Sequence, residues 1–477
     1  MSDRHEKPEK PWYQQWREEL REEPEELPEP PKRWHRRVVS KELPFFSIIL
    51  LGYGLATLVG FVLLTLPVSN VDHKFTAPID ALFTAASSIS DTGLTVVNTG
   101  THWSFFGQMV ILVLIQLGGL GFMVMSSFLL LSLGNRVDLR DFRIEDAIGA
   151  SSKGELVKTS LQALAITVVF EVAGAFILAR HAGPAVTAGA EWWPSIFHSV
   201  SAFNNAGFDI TTNAQGFAVF QRDAFTLMVL SGLVFFGALS TPVIVELVTR
   251  GIRRGFSLDT KLAMATTIAL LALGTLGFLL LELGNAGPMN GMSGLDRVVN
   301  SFFTSMSSRS AGFSTLEFGR LMQQSLFLIM ILMFIGGVSG STAGGIKVNT
   351  FAVMVLTSFS YLRGRGKVCA FNRQIPELQV HKAVAVTALS LLAVLTVALA
   401  LSFTENISFL QLSFETVSAF STVGFSTGIT PYLSIGGKLI LSLAMFVGRL
   451  GPLTVALALT RDEPKPVHYA EERVRVG

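Results

Sequence analysis

Eight segments of this chain are apolar over about 20 residues or more, the length at which a helix crosses the hydrocarbon core of a bilayer. They occupy about 45–67, 105–133, 157–180, 223–249, 260–284, 323–360, 380–403 and 433–460. Only 15% of the residues are charged, whereas soluble domains average about 25%. This deficit excludes a soluble globular fold, and the sequence predicts an all-α integral membrane protein.

Each successive pair of long segments encloses a shorter, moderately apolar segment. These lie at about 78–91, 193–205, 295–308 and 410–421. Because roughly 10–15 residues are too few to cross a bilayer, we expect them to be re-entrant half-helices.

Basic residues are concentrated outside the long apolar segments. Of the 37 lysines and arginines, 28 lie in residues 1–44, 134–159, 249–261, 361–382 and 460–477. The positive-inside rule therefore predicts that both termini and three basic loops are cytoplasmic, so that each half-helix enters from the outside. The net charge of only +2 and the scattered basic residues exclude a nucleic-acid binder. The single cysteine, Cys369, excludes a disulfide framework or a cysteine-based metal site.

Residues 1–44 are rich in glutamate and proline, a composition typical of a largely disordered cytoplasmic extension. Trp12, Trp16 and Leu20 fall at helical spacing and support the alternative of a short docking or interfacial stripe.

A repeated unit organises the membrane part of the chain. Four glycines, called here the repeat glycines, follow the four short segments about 110 residues apart, at Gly93, Gly207, Gly312 and Gly424. A bulky apolar residue comes directly after each one, and a phenylalanine lies ten positions before it, at Phe83, Phe197, Phe302 and Phe414. Internal periodicity of this kind indicates a repeat architecture. We predict four parallel M1–P–M2 repeats, with eight transmembrane helices and four re-entrant pore helices around one central pore, at 45–133, 157–249, 260–360 and 380–460, followed by a cytoplasmic C-terminus at 461–477.

The order of these elements suits a cation pathway. A half-helix that runs inward points its partially negative C-terminal end at the middle of the membrane, where it favours a cation. The chain that leaves it can keep unpaired carbonyls at that depth only beside an ion- or water-filled cavity. Such carbonyls can replace the hydration shell of a cation. Four tight turns between packed helices are the alternative, but they do not explain the half-helix before each glycine.

The third M2 segment contains a glycine-rich stretch, residues 336–347. It is called here the gate loop, after the role that the family resemblance described below implies for it. Five of its first ten residues are glycines, and each costs about 1 kcal/mol in a helix relative to alanine. We therefore predict a break in this span; the alternative is a continuous helix with a small-residue crossing. Arg449, in the last apolar segment, would repel a cation unless it is paired or held by carbonyls. It is either a barrier to ions or an arginine that reaches the membrane surface.

The repeat, the segment GGVSGSTAGGIK at 336–347 and the segment FVGRLGPLT at 446–454 resemble the Trk/Ktr/HKT superfamily of potassium transporters. The similarity covers about 40–460 and is greatest to the membrane subunit of a bacterial Ktr system. The resemblance implies potassium uptake across the bacterial cytoplasmic membrane, possible sodium dependence, and no cofactor on this chain. It also implies a homodimer on a cytosolic ring of nucleotide-binding, RCK-type regulatory subunits. Because plant relatives that permeate sodium carry serine at the first filter glycine, Gly93 implies a preference for K⁺.

The resemblance also assigns site residues. The selectivity filter would comprise Thr92, Gly93, Leu94, Ala206, Gly207, Phe208, Ala311, Gly312, Phe313, Val423, Gly424 and Phe425, with K⁺ at their carbonyls. The gate would comprise Gly336, Gly337, Gly340, Ser341, Thr342, Ala343, Gly344, Gly345, Lys347 and Arg449.

Other polar residues of these segments have less specific interpretations. Arg309, three residues before Gly312, is expected to brace the filter, with Glu171 as a plausible partner. Glu415 suits bracing and cation stabilisation equally well. Asp80 and Asp296 begin half-helices, where acidic residues complement the helix dipole. His198 is expected to be a buried, hydrogen-bonded histidine.

Two other classes of function are less compatible with the sequence. A proton- or sodium-coupled symporter of another small solute would place ionisable residues at mid-membrane, often between inverted repeats. Here the repeats are parallel, and only Glu171 resembles a proton carrier. An intramembrane enzyme would need a catalytic cluster such as HExxH, which the sequence lacks.

Overall fold

The structure is a computed structural model that describes residues 45–133, 153–181, 192–212, 216–250, 255–285 and 287–451. The extension 1–44, the basic residues 134–152 and the C-terminal residues 452–477 lie outside this part of the chain, so the predictions made for them stay predictions.

Fourteen helices of ten residues or more dominate the described residues. They are α1 Phe45–Thr65, α2 Pro78–Ile89, α3 Phe105–Leu133, α4 Lys153–His181, α5 Trp192–Phe203, α6 Ala224–Gly237, α7 Thr241–Arg250, α8 Leu258–Glu282, α9 Gly294–Ser307, α10 Gln323–Phe334, α11 Val348–Leu362, α12 Glu377–Thr404, α13 Phe409–Phe420 and α14 Ile435–Leu450. Helices thus occupy all eight long and all four short segments. A one-turn helix at Thr99–His102 and 3₁₀ turns at Pro67–Ser69, Gly216–Arg222, Phe318–Arg320 and Thr430–Tyr432 lie in the connections.

Among the residues that the structure describes, three helices are individually long and apolar enough to cross a membrane: Lys158–His181 within α4, and the whole of α8 and α12. On α8, Leu273, Leu276 and Leu280 are 58–68% exposed and share one face of the helix. Such a continuous exposed apolar surface suits contact with lipid.

The segment predicted as one span at 223–249 is bent, because α6 and α7 meet at 104°. Pro242 explains the bend. In a continuous helix its ring would clash with the carbonyl of Ala238, four residues earlier. In the structure that carbonyl instead accepts a hydrogen bond from Val338 N, 3.0 Å away in the gate loop.

A small hairpin in the basic stretch 361–382 was not predicted. Strand β1, Cys369–Ala370, pairs antiparallel with β2, Arg373–Gln374. The two residues between them, Phe371 and Asn372, both have positive φ, as a tight two-residue turn requires.

The short helices α2, α5, α9 and α13 form the buried centre of the molecule. In three of them the phenylalanine ten residues before the repeat glycine is fully buried, at Phe83, Phe197 and Phe414. In α9, Phe302 is only partly buried and its neighbour Phe303 fills the core instead. The surrounding long helices therefore hold the C-terminal ends of the four short helices in place.

Candidate functional site

The four repeat glycines share an unusual backbone conformation. Their φ angles are +82° at Gly93, +71° at Gly207, +67° at Gly312 and +99° at Gly424. Residues with a Cβ rarely adopt such angles, which explains why glycine is needed at each position.

The repeat glycines also contact one another's chain segments in a closed cycle. These segments, called here the glycine strands or simply the strands, are Thr92–Leu94, Ala206–Phe208, Ala311–Phe313 and Val423–Phe425, together with the residues next to them. A Cβ placed on Gly93 would overlap the carbonyl oxygen of Ala206, the residue before the second repeat glycine. The same relation links Gly207 to Ala311, Gly312 to Val423, and Gly424 back to Thr92. Each strand therefore packs against the next, and the fourth returns to the first. One glycine and one carbonyl oxygen of each strand take part in this cycle.

The side chains beside the repeat glycines are anchored in the surrounding core. Leu94, Phe208, Phe313 and Phe425 are each at most 1% exposed. The ring of Phe313 lies 4.8 Å from that of Phe217, and the ring of Phe425 lies 4.3 Å from that of Phe318. Because these side chains are packed in the core, the strands contact one another mainly through backbone atoms.

The gate loop interrupts the third M2 segment. Helix α10 ends at Phe334 and α11 begins at Val348. The two ends of the loop are held together, since Gly336 N donates to Ile346 O over 2.9 Å and Ile346 N donates to Phe334 O over 3.1 Å.

Two of the strands contact the gate loop directly, just before their repeat glycines. Thr342 accepts a hydrogen bond from Asn205 Nδ2 over 2.9 Å and donates one to Gly237 O over 3.0 Å. Gly344 lies so close to Thr422 that a Cβ would overlap its hydroxyl. Within the loop, Lys347 Nζ donates to the carbonyl of Ala343.

Arg449 joins the gate loop to the first repeat. Its guanidinium donates to the carbonyls of Thr342 and Gly118, and its Nη2 lies 2.5 Å from Asp91 Oδ2. The side chains of Arg449 and Asp91 are 7% and 0% exposed. This burial is incompatible with an arginine that extends to the membrane surface.

The partner suggested for Arg309 is wrong. Glu171 accepts hydrogen bonds from Asn204 Nδ2 over 2.8 Å and from Gln116 Nε2 over 3.4 Å. The guanidinium of Arg309 instead donates to the carbonyl of Thr267 on α8 over 3.2 Å. Asn204 and Arg309 hold equivalent positions, three residues before a repeat glycine, and each reaches the long helix that precedes its own short helix.

The carboxylate of Glu415 binds the segment that follows Gly424. It accepts hydrogen bonds from Ser426 Oγ, Thr427 N and Thr430 Oγ1 over 2.7–2.9 Å. These contacts favour bracing over direct cation stabilisation.

Two further polar residues have partners of their own. His198 is buried and lies 2.9 Å from Asp209 Oδ1, in agreement with a hydrogen-bonded histidine. Asp80 forms an ion pair of 2.8 Å with Lys438, a contact that its place at a helix N-terminus did not suggest.

The sequence reasoning missed two features of this site. Asp91 is the one acidic residue in the five positions before any repeat glycine, and that isolation was a usable signal. Glycines on the helices after the short helices are a second feature. A Cβ on Gly118, Gly237 or Gly448 would overlap the carbonyl of Ile89, Phe203 or Phe420, respectively. These glycines let the helices approach the C-terminal ends of the short helices.

Comparison with known proteins assigns the family. The model of the TrkH family, described as cation transport protein, matches residues 57–468. The chain belongs to this family. It is 36% identical to the Ktr system potassium uptake protein B of Bacillus subtilis, over 90% of this chain and 96% of the relative. It is 38% identical to the protein of the same name from Vibrio alginolyticus, over 90% and 94%.

Two further comparisons agree. The chain is 34% identical to the potassium/sodium uptake protein NtpJ of Enterococcus hirae, over 93% of this chain and 99% of the relative. The crystal structure of the potassium transporter TrkH from Vibrio parahaemolyticus matches with a TM-score of 0.71 at 19% identity, over 90% of this chain and 87% of that one. The fold is therefore that of an all-α membrane transporter. The TrkH-family chain is a multi-pass membrane protein and not an enzyme.

Proposed function

We propose that this chain takes up K⁺ through a selectivity filter built from its four glycine strands. The filter comprises the backbone of Thr92–Leu94, Ala206–Phe208, Ala311–Phe313 and Val423–Phe425. The closed cycle of glycine and carbonyl contacts carries this proposal, because it packs one carbonyl of each strand against the glycine of a neighbouring strand and so joins the four strands in one ring. Carbonyl oxygens in such an arrangement can replace the hydration shell of a cation.

The choice of K⁺ rests on the relatives and on the chemistry of the strands. Two relatives are named potassium uptake proteins and a third is named a potassium/sodium uptake protein. The strands offer carbonyls, and Gly93 stands at the first filter position. Sodium dependence of the flux is a further part of the proposal.

The arrangement in the membrane follows from charge placement. In this proposal the chain forms four parallel M1–P–M2 units around one pore in the cytoplasmic membrane, with both termini in the cytoplasm. The short helices then enter from outside, and the gate loop lies on the cytoplasmic side of the filter. A homodimer on a cytosolic ring of nucleotide-binding subunits completes the assembly.

The gate is proposed to consist of residues 336–347 and Arg449. The contacts of Thr342 with Asn205, Gly237 and Arg449 support this role, since they fix the loop against the filter-proximal ends of two repeats. A cation beneath a cation filter opposes permeation electrostatically, and the loop adds a steric obstacle. Arg309 and Glu415 are proposed to support the filter strands from behind.

Substitution of one repeat glycine tests the filter directly. In Gly312→Ser the added Cβ would collide with the carbonyl of Val423 and disturb one quarter of the cycle. We expect lower discrimination of K⁺ over Na⁺ in proteoliposome flux. Gly428→Ser is the matched control, because Gly428 also has positive φ, +91°, but no atom lies within 4 Å of the place that a Cβ would take there.

Two readouts separate the outcomes of these experiments. Unchanged selectivity in Gly312→Ser, or an equal loss in Gly428→Ser, would count against the filter. Uptake of ⁸⁶Rb⁺ by potassium-uptake-deficient cells that express the wild-type chain tests transport itself. Its absence in a well-inserted protein would favour a transporter of another solute.

A further inference from the structure

The carboxylate of Asp91 occupies a distinctive place, two residues before Gly93 and at the C-terminal end of α2. It pairs with Arg449 over 2.5 Å, and both side chains are more than nine-tenths buried. Arg449 comes from α14, 358 residues away in sequence. The pair therefore joins the first filter strand to the residue proposed as part of the gate.

Only one of the two carboxylate oxygens of Asp91 is used. Within the described part of the chain, Asp91 Oδ1 is buried and has no hydrogen-bond partner. The equivalent residues of the other three strands share this property. Each also carries a buried oxygen without a partner there: Asn205 Oδ1, Ser310 Oγ and Thr422 Oγ1.

Four such oxygens at equivalent positions need a physical explanation. A buried polar atom without a partner costs about 1–3 kcal/mol, so native proteins usually satisfy it with water or an ion. Carboxylate, amide and hydroxyl oxygens are ligands that suit a hard cation. Three of these residues converge on one segment of the gate loop, Asp91 through Arg449, Asn205 through Thr342, and Thr422 through Gly344.

The guanidinium of Arg449 supplies a positive charge at this place. It is a cation tethered to the protein and bound to a buried carboxylate. Arg449 also donates to the carbonyl oxygens of Thr342 and Gly118. These oxygens carry partial negative charge and therefore favour a cation at this place. The ion pair thus has the form of an occupied cation site.

We propose that Asp91 is the anionic ligand of a cation site next to the filter, which Arg449 occupies in this structure and the permeant ion occupies when Arg449 leaves. The proposal rests on the function proposed above and adds a residue to it. Arg449 then acts as a competitor of the ion for one carboxylate, in addition to being a repelling charge. When Arg449 leaves, the negative charge of Asp91 would stabilise the permeant ion at that place, so the ion would meet no new energetic barrier there.

The test measures cation binding to purified protein without transport. In Arg449→Gln the carboxylate is released, and we expect thermal stability in KCl to exceed that in choline chloride at equal ionic strength, increasing with K⁺ concentration. In Asp91→Asn/Arg449→Gln the carboxylate is also absent, so this increase should disappear. The two proteins both lack the arginine, and they differ only in the proposed ligand.

The outcomes separate this inference from the proposed function. An equal K⁺ response in the single and double variants would overturn the role of Asp91, whatever the transport activity. A K⁺ response confined to Arg449→Gln would support the site even if the wild-type chain failed to take up ⁸⁶Rb⁺, and in that case only the proposed function would fail. If Arg449→Gln does not fold, the same comparison is made between Arg449→Lys and Asp91→Asn/Arg449→Lys, where the expected K⁺ response of the single variant is smaller.

A second measurement uses a free guanidinium ion in place of the tethered one. In proteoliposomes, guanidinium added to Arg449→Gly should inhibit ⁸⁶Rb⁺ flux, and higher K⁺ should relieve the inhibition. In Asp91→Asn/Arg449→Gly the inhibition should be at least about tenfold weaker, which corresponds to about 1.4 kcal/mol of binding free energy. Equal inhibition of both variants would contradict the assignment.

Discussion

Within the described part of the chain, the side chains of two arginines are buried in the membrane part of the molecule, and their surroundings differ. Arg449 has a carboxylate partner, Asp91, and two carbonyl acceptors. Arg309 is 2% exposed, yet its guanidinium donates to one carbonyl, that of Thr267, and its Nε has no partner among the described residues. No carboxylate pairs with it in that part of the chain.

The difference shows that burial alone does not define a role for a charge. Arg449 links three separate elements, the gate loop, α3 and the end of α2, so its removal releases all three. Arg309 links the strand of Gly312 to the neighbouring helix α8, so its removal affects one strand. We therefore expect a gating phenotype at one arginine and a filter phenotype at the other.

The largest expected effect is on stability. Arg449→Met leaves Asp91 as an uncompensated buried carboxylate, and breaking a buried pair in this way costs about 3–5 kcal/mol. Arg309→Met removes a charge that has no counter-ion and should cost about 1 kcal/mol, the value of one hydrogen bond. Thermal unfolding in detergent without K⁺ measures both. Equal losses would show that the Asp91–Arg449 contact is energetically unimportant.

A third buried charge separates the effect of a counter-ion from that of hydrogen bonding. Glu415 has no cationic partner among the described residues but accepts hydrogen bonds from Ser426, Thr427 and Thr430. Glu415→Gln keeps the shape and should cost about 1.5–3 kcal/mol, because hydrogen bonds to a charged group are lost. The measurement is again thermal unfolding, with Gln411→Glu, at a partly exposed position of α13, as a control for altered charge. A neutral result would mean that the hydroxyls satisfy an amide equally well.

Transport should distinguish the two arginines by the kind of change. In Arg449→Gln we expect K⁺ flux to rise about tenfold, which corresponds to about 1.4 kcal/mol of barrier, with unchanged selectivity. In Arg309→Gln we expect lower K⁺ over Na⁺ discrimination, because the strand of Gly312 loses its support. Measuring the flux of K⁺ and of Na⁺ into proteoliposomes tests both expectations. If both variants alter the same quantity, the distinction between gate and filter support fails.

The smallest expected effect is at Lys347. Its Nζ donates to Ala343 O inside the gate loop and contacts no other element through that bond. Lys347→Met should raise K⁺ flux less than Arg449→Gln does, by an amount equivalent to about 0.5–1 kcal/mol, in the lower part of the range for one hydrogen bond. A larger rise than in Arg449→Gln would identify the lysine as the principal barrier.

The sequence predicted those features that depend on local or repeated patterns. The long apolar segments, the short helices and the repeat glycines all follow from length, periodicity and the conformational freedom of glycine. The interruption around residues 336–347 follows from glycine content, because helix propensity is a local property.

Features that depend on distant contacts could not be predicted in the same way. Asp91 and Arg449 are 358 residues apart, and nothing near either residue indicates the other. Glu171 was a plausible partner for Arg309 on charge alone, but Asn204 lies closer because it belongs to the same repeat. The bend before Pro242 was overlooked because apolar composition continues through it, although the proline itself was a local signal.

The closed cycle of repeat glycines has a consequence for how such a site changes over time. All four strands are encoded separately in one chain, so a single codon alters one quarter of the ring. In an assembly of four identical subunits, the same mutation would alter every quarter at once. The residues before the glycines are already of three kinds among the four strands: Thr92, Ala206, Ala311 and Val423. An aspartate can therefore stand beside one strand alone, as Asp91 does. In an assembly of four identical subunits, the same aspartate would be present beside all four strands.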